Sequence, residues 1–476
     1  MRRSYSKLLY SHLVSALAFL GILLATSGAI AQAVVSFPDR VCDVTQFGAE
    51  GTKLWYDTEA FQKAIDACAK DGGGMVLVPR GTYLIGPIFL KSNIRLTIAK
   101  YAEVLAASDP KLYGTTQHPM TPEGKSADLA FINIRDAENV AITGEGLIDG
   151  QGAVWWEWMR DYWRSDKTFA VSGEAHQQQH DSRPRLVMVR GSRNVLFQGV
   201  TFANSPSFNL VLQKSDAVTI SHVSILAPAH APNTDAIDPI DTRNVLIENN
   251  TISCGDDVVA IKGNGPDLKY PNAVSSNIVI RDNTILQGRG ISIGSGTSGG
   301  VSHVLAENNT FDGSMYGFRI KTRRGHGGDV SDIVFRNNKM TNVQTVMVIS
   351  GYYEYKPFDP KEAARQVKKG GFILGNQLWP PDRDPARPFV ADQTPNIHDV
   401  AIESLTATGA DRAGVATGLP EKSISGLRLK NVHIEAETGL LVRHADVVAD
   451  HVEIVVKSGK AVTLQKGGKF KQETTN

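Results

Sequence analysis

The sequence predicts an all-β protein, a solenoid of the parallel β-helix type closed at its N-terminal end by one short helix. Three observations carry this expectation. The chain repeats itself with a period of 23–33 residues, each copy alternates apolar residues around a polar corner, and one stretch of helical period precedes the repeat.

The copies begin at Asn194, Ala217, Asn244, Asn277, His303 and Asp332, and read NVLFQGVTF, AVTISHVSI, NVLIENNTI, NIVIRDNTI, HVLAENNTF and DIVFRNNKM. Each is strand, turn, strand, with asparagine at the corner because it tolerates a left-handed backbone. Helical periodicity is missing from the copies, which disfavours helical repeats, and a propeller blade needs about 40 residues. One coil of a parallel β-helix fits, its inward Val, Ile and Phe stacked on the next coil about 4.8 Å away. The helix is expected over 58–70, TEAFQKAIDACAK, where apolar residues fall on one face behind an acidic first turn. Two insertions interrupt the repeat, near 151–184 and 351–395. They bring Trp155, Trp156, Trp158 and Trp163, then Tyr352, Tyr353, Tyr355 and Trp379. Such aromatics either offer platforms for sugar rings or pack the loops onto the coil.

The totals exclude some functions. Lys+Arg is 50 against Asp+Glu 49, so the broad positive field of a nucleic-acid binder is lacking. With 42% hydrophobic residues the chain is not intrinsically disordered, and its 44 glycines suit many tight corners. Arg2, Arg3 and Lys7 precede the apolar stretch Leu13 to Ala25, and Ala31-Gln32-Ala33 resembles a cleavage site. Residues 1–33 are therefore expected to be a signal peptide, and 34–476 a single secreted or periplasmic catalytic domain, monomeric and free of membrane. An uncleaved anchor is the alternative, for which the apolar run is short. An oxidising compartment permits Cys42 and Cys68 to pair, leaving Cys254 a buried thiol; no zinc or redox spacing is present.

Asp235, in Asn233-Thr234-Asp235, and the pair Asp256-Asp257 lie about one coil apart, which places three carboxylates on one face of neighbouring coils. Adjacent Asp256 and Asp257 point apart if extended, so at least one must sit at a bend. Crowded negative charge pushes at least one pKa upward, and glycoside hydrolysis needs one carboxyl protonated while another is ionised. Turn-capping aspartates and a calcium site are the alternatives. Arg319 and Lys321 share one strand face on a following coil. Cations beside the cluster suit an anionic sugar and disfavour calcium; they could also merely balance the aspartates.

At these residues the chain resembles the polygalacturonases and related pectinases of glycoside hydrolase family 28. The motifs are Asn233-Thr-Asp235-Ala-Ile-Asp238, Gly255-Asp-Asp257, Gly288-Arg-Gly-Ile-Ser-Ile-Gly-Ser295 and Arg319-Ile-Lys321, in the family's order. The resemblance implies a right-handed β-helix and an inverting hydrolase of α-1,4-linked galacturonan in plant cell-wall pectin. It implies Asp256 as general acid and Asp235 and Asp257 as holders of the attacking water. Asn233, Arg319 and Lys321 would bind the substrate, the two cations through the sugar carboxylate. No metal or organic cofactor is implied. Ala236 stands where the family has glycine, and Arg289 where it has histidine. Repeat phase puts Arg289 one coil from Asp256, where it either lowers the pKa of the acid, adds an anchor for a second carboxylate or marks another pectic backbone such as rhamnogalacturonan. A non-catalytic pectin-binding β-helix is a further alternative. A calcium-dependent lyase is disfavoured by the acid triad.

Overall fold

The computed structural model describes residues 35–114, 129–157, 183–355, 376–377 and 384–473. Residues 1–33, expected to be a signal peptide, and Trp158, Trp163 and Trp379 lie outside the described residues. Those from residue 35 onward belong to one unit, a right-handed solenoid of parallel strands with a short N-terminal helix.

Each coil contributes three short strands, and equivalent strands of successive coils stack into three parallel ladders. The first ladder carries β1 (Leu210–Gln213), β2 (Ile237–Ile240), β3 (Val259–Ile261), β4 (Ile291–Gly294), β5 (Tyr316–Lys321) and β6 (Thr345–Ser350). Each pairs with the next in that order. The repeated nonamers span the second ladder, for example Arg243–Glu248, and the third, for example Thr251–Ser253.

Register is held by columns of identical hydrophobic character. Val195, Val218, Val245, Ile278, Val304 and Ile333 are direct partners from coil to coil, as are Phe197, Ile220, Ile247, Ile280, Ala306 and Phe335. All twelve are buried. Burying one such large side chain stabilises the fold by about 1.5–3 kcal/mol. A one-residue slip would turn a whole strand's apolar set outward.

The two corners of each nonamer have different physical origins. The leading residues Asn194, Ala217, Asn244, Asn277, His303 and Asp332 all take φ of 53–57°. Alanine and histidine adopt this left-handed corner too, at a cost of about 1–2 kcal/mol relative to ordinary backbone, so the stack imposes the geometry. At the second corner the first residue, Asn249, Asn308 or Asn337, also has φ of 53–57°. The second asparagine does something else. Asn250, Asn283, Asn309 and Asn338 are buried, and the amide of each donates to the side-chain oxygen of the next at 2.9–3.0 Å. Those same oxygens also accept a backbone N–H from the preceding coil. An asparagine ladder thus satisfies the polar backbone inside the corner.

Helix α1 (Thr58–Lys70) closes the N-terminal end with Phe61, Ala64, Ile65 and Cys68 facing inward. Cys68 is bonded to Cys42 with a Cα–Cα distance of 6.1 Å, and Cys254 is a buried free thiol, both as expected. The described aromatics of the insertions pack rather than present open faces. Trp155 and Trp156 are each 4% exposed, and Tyr352 and Tyr353 are 3% and 5% exposed. Trp155 meets Tyr113 edge-on at 6.0 Å, and Trp156 Nε1 donates to the Ser205 carbonyl at 3.0 Å.

The asparagine ladder makes a stability prediction. Asn283→Ala deprives the Asn250 backbone N–H and amide of their acceptor and leaves the Asn309 oxygen and Ile247 carbonyl each one donor short. Urea unfolding should show a loss of about 2–4 kcal/mol. Thr284→Ala, one residue on and exposed, should change stability by less than about 0.5 kcal/mol. Equal effects would remove the ladder from the account.

Candidate active site

The aspartates sit where the third ladder turns into the first. Asp235 lies just ahead of β2, separated from it by Ala236, and Asp256 and Asp257 fill the bend between Thr251–Ser253 and β3. Both adjacent aspartates thus occupy the bend, which lets them point into one site. Backbone bonds fix the stacking: the Ala236 N–H donates to the Asp257 carbonyl at 2.9 Å, and the Arg289 N–H donates to the Asp256 carbonyl at 2.7 Å. Arg289 is therefore one coil from Asp256, as the repeat phase predicts. Beside it Gly290 has φ of 71°, and a Cβ there would overlap the Tyr316 carbonyl oxygen. Only glycine permits so close a corner.

One oxygen from each of Asp235, Asp256 and Asp257 lies within 4.8 Å of the others. A single water spans that distance, since two hydrogen bonds of about 2.7–2.8 Å meet at its oxygen. The three side chains differ sharply in surroundings. Asp257 is enclosed by cations: its Oδ1 pairs with Arg319 and accepts from Ser292 Oγ at 3.1 Å, and its Oδ2 accepts from Lys321 Nζ at 2.6 Å. Burial pushes this carboxyl up, but Arg319 and then Lys321 overcome it and hold it well below the usual carboxylate range.

Asp235 is the opposite case. Burial and then the charge of Asp256 push its carboxyl well up, with Lys262 opposing at 3.9 Å. Among the described residues its Oδ1 has no hydrogen-bond partner. Lys262 is drawn more closely to Asp238, with which it pairs directly. Asp238, the second aspartate of the Asn-Thr-Asp motif, is itself pushed up by burial against that lysine.

Asp256 accepts two hydrogen bonds and pairs with one cation. The Asp257 N–H reaches its Oδ1 at 3.0 Å, Arg289 Nη1 is 3.2 Å from the same oxygen, and Asn233 Nδ2 is 3.4 Å from Oδ2. Arg289 is 8% exposed, Lys321 6% and Arg319 0%. Arg319 lies behind the site, its Nε donating to Ser292 Oγ at 3.0 Å and its guanidinium over the Tyr316 ring at 4.4 Å. Lys321 lies over the Tyr353 ring at 5.2 Å.

The structure thus brings all seven expected site residues together and adds three. Ser292 pairs with Arg319 in the ladder register, and Lys262 follows Ile261, whose partners lead through Ile293 to Ile320 beside Lys321. Extending the repeat phase would have found both. Arg183, fully buried, donates from Nη2 to Asn233 Oδ1 at 2.8 Å; it ends a long insertion, and no periodic signal marks it.

Among the described residues, four aspartates (235, 238, 256 and 257) face at least five cations (Arg183, Lys262, Arg289, Arg319 and Lys321). The cluster has the oxygen spacing of a cation site, but both oxygens of Asp257 are already engaged by Arg319 and Lys321. Five positive side chains repel a divalent ion, whereas an anionic ligand is drawn in.

The model of the glycosyl hydrolases family 28 matches residues 68–368. A probable polygalacturonase of Arabidopsis thaliana is 32% identical over 337 residues, 69% of this chain and 65% of that protein. An endo-polygalacturonase of Pectobacterium parmentieri is 31% identical over 354 residues, 71% of this chain and 82% of the relative. The crystal structure of a hyperthermoactive exopolygalacturonase from Thermotoga maritima superimposes with a TM-score of 0.69 at 28% identity, covering 88% and 93% of the two chains. Fold, ordered motifs and carboxylate cluster agree with these matches: the chain belongs to the glycosyl hydrolases of family 28.

Proposed function

We propose that this chain is an exported, monomeric hydrolase of α-1,4-galacturonosyl linkages in pectin, acting by inversion. One observation carries the reading: three aspartates within reach of a single water, in unlike surroundings and ringed by cations. The named relatives, polygalacturonases of plant and bacterial origin, support the same substrate. Export is supported by the basic and apolar residues of 1–33 and by the Cys42–Cys68 bond, which belongs to an oxidising compartment. Residues 34–476 then form the single catalytic domain.

Roles follow from the surroundings. Asp257, paired with two cations, stays ionised; it is a weak base and orients the water. Burial and the charge of Asp256 favour the protonated form of Asp235. Asp235 and Asp256 lie within reach of one water and divide the base and acid tasks between them. With the proton on Asp256, that residue protonates the leaving oxygen, and Asp235, now a carboxylate with a free Oδ1, takes the proton of the attacking water. Lys321 and Arg289, buried but each with a few per cent of its surface open, bind the sugar carboxylate. Arg319 acts on the site through Asp257, and Asn233 donates to the acid. Arg289, standing where the family has histidine, is the one feature that favours another pectic backbone, such as rhamnogalacturonan, as a second reading.

Release of reducing ends from polygalacturonate, with little from rhamnogalacturonan, is the expected result; the reverse order selects the second reading. Asp256→Asn should lower kcat by about 10²–10⁴-fold on the better substrate with unchanged circular dichroism, and parental activity in that variant would sink both readings. Arg289→His removes a permanent cation from the acid pair. The alkaline limb of its kcat–pH profile should move to higher pH, and an unmoved limb would show that the pairing has no catalytic consequence.

Asp235 also makes a stability prediction. Its folded pKa lies above the unfolded value of about 3.9, so the folded state binds more protons and stability falls as pH rises through that window. Asp235→Asn should therefore raise the melting temperature at pH 7 while abolishing activity. The gain should shrink as pH falls toward about 4. A lower melting temperature at pH 7 would contradict the burial argument.

A further inference from the structure

Arg183 is 1% exposed and makes no contact with solvent chemistry, yet it is wired directly to the site. Its Nη1 donates to the carbonyls of Pro206 at 3.0 Å and Pro232 at 2.9 Å, which lie ahead of β1 and β2 on successive coils. Its Nη2 donates to Asn233 Oδ1 at 2.8 Å. All three acceptors are neutral. Burial accordingly pushes its pKa down to about 10, with Asp235 and then Asp256 opposing from a distance, and it remains a cation at neutral pH.

A guanidinium can only donate. The oxygen of the Asn233 amide must therefore face Arg183, and its Nδ2 must face away, toward Asp256 Oδ2 at 3.4 Å. The opposite orientation would set two donors against each other on one side and two acceptors on the other. We infer that Arg183 is a positioning residue for catalysis: it sets the orientation of the Asn233 amide and, through it, the placement of the Asp256 carboxyl. The Pro232 bond holds the same corner from the backbone side, so that Asn233 and Asp235 enter the site from a fixed turn. This assignment rests on the reading of Asp256 as the acid, and it explains a buried cation whose hydrogen-bond partners among the described residues are neutral.

The test is a double-mutant cycle on polygalacturonate between Arg183→Gln and Asn233→Ala, with Arg183→Lys as the conservative variant. Each single change should lower kcat about 10- to 100-fold through misplacement of the acid with KM held within about twofold. The double variant should be no worse than the worse single one, because both act through one contact. Multiplied effects, or a lowered melting temperature with parental kcat, would overturn the inference. A second measurement needs no substrate. In a crystal structure of Arg183→Gln, Asn233 Nδ2 should have left Asp256 Oδ2, and retention of that contact overturns the proposal. Absence of activity in the parent, with the crystallographic result as expected, would instead reject the galacturonan reading and leave the positioning role intact.

Discussion

Parallel stacking of coils in strict register is the constraint on which everything else depends. Side chains separated by one repeat become direct neighbours about 4.8 Å apart, so a functional site can be assembled by placing residues at one phase of the repeat. Asp257, Ser292, Arg319 and Lys321 meet in this way although 64 residues separate the first from the last. The same stacking makes register errors severe, and the molecule guards against them with buried apolar columns on the strands and with the asparagine ladder at the corner. Both devices work only when several coils are present, which is why the solenoid is one cooperative unit rather than a string of independent hairpins.

A second constraint acts at the catalytic corner. Four carboxylates at close quarters are costly, and the site offsets this with five cations of unequal reach. Arg319 and Lys321 neutralise Asp257 directly. Lys262 is committed to Asp238 and only grazes Asp235, so burial outweighs it and the Asp235 carboxyl is pushed well up. Differential pairing, rather than the number of charges, sets the cation-bound Asp257 apart from Asp235. Arg289 belongs to this electrostatic arrangement as much as to substrate binding, because it lies on Asp256 and near the edge of the site at once.

Much of this was legible in the sequence for one reason: the period. Repeat spacing gave the solenoid, and repeat phase gave the juxtaposition of Asp235, Asp256, Asp257, Arg289, Arg319 and Lys321. The helix at the N-terminal end followed from local pattern, while compartment permitted the Cys42–Cys68 bond without deciding it. Other features were hidden because they depend on facts that phase does not encode. Trp155 and Trp156 look like sugar platforms in a loop, yet their burial depends on how that loop folds back against Tyr113 and Ser205. Ala217 and His303 give no hint of a left-handed corner, because the stack rather than the residue dictates φ there. Burial separates Arg319 from Lys321, and two residues of one motif then take different tasks. Arg183 lies outside the repeat altogether.

In the proposed mechanism a water held by Asp235 and Asp257 attacks while Asp256 protonates the leaving oxygen. Stereochemistry tests this most directly. Proton NMR recorded during the first minutes of polygalacturonate cleavage reports the anomeric form of each new reducing end before mutarotation. The account predicts the β-anomer first, since the substrate linkage is α and the displacement is single. Initial appearance of the α-anomer would mean a covalent glycosyl-aspartate and would contradict the roles assigned to all three residues.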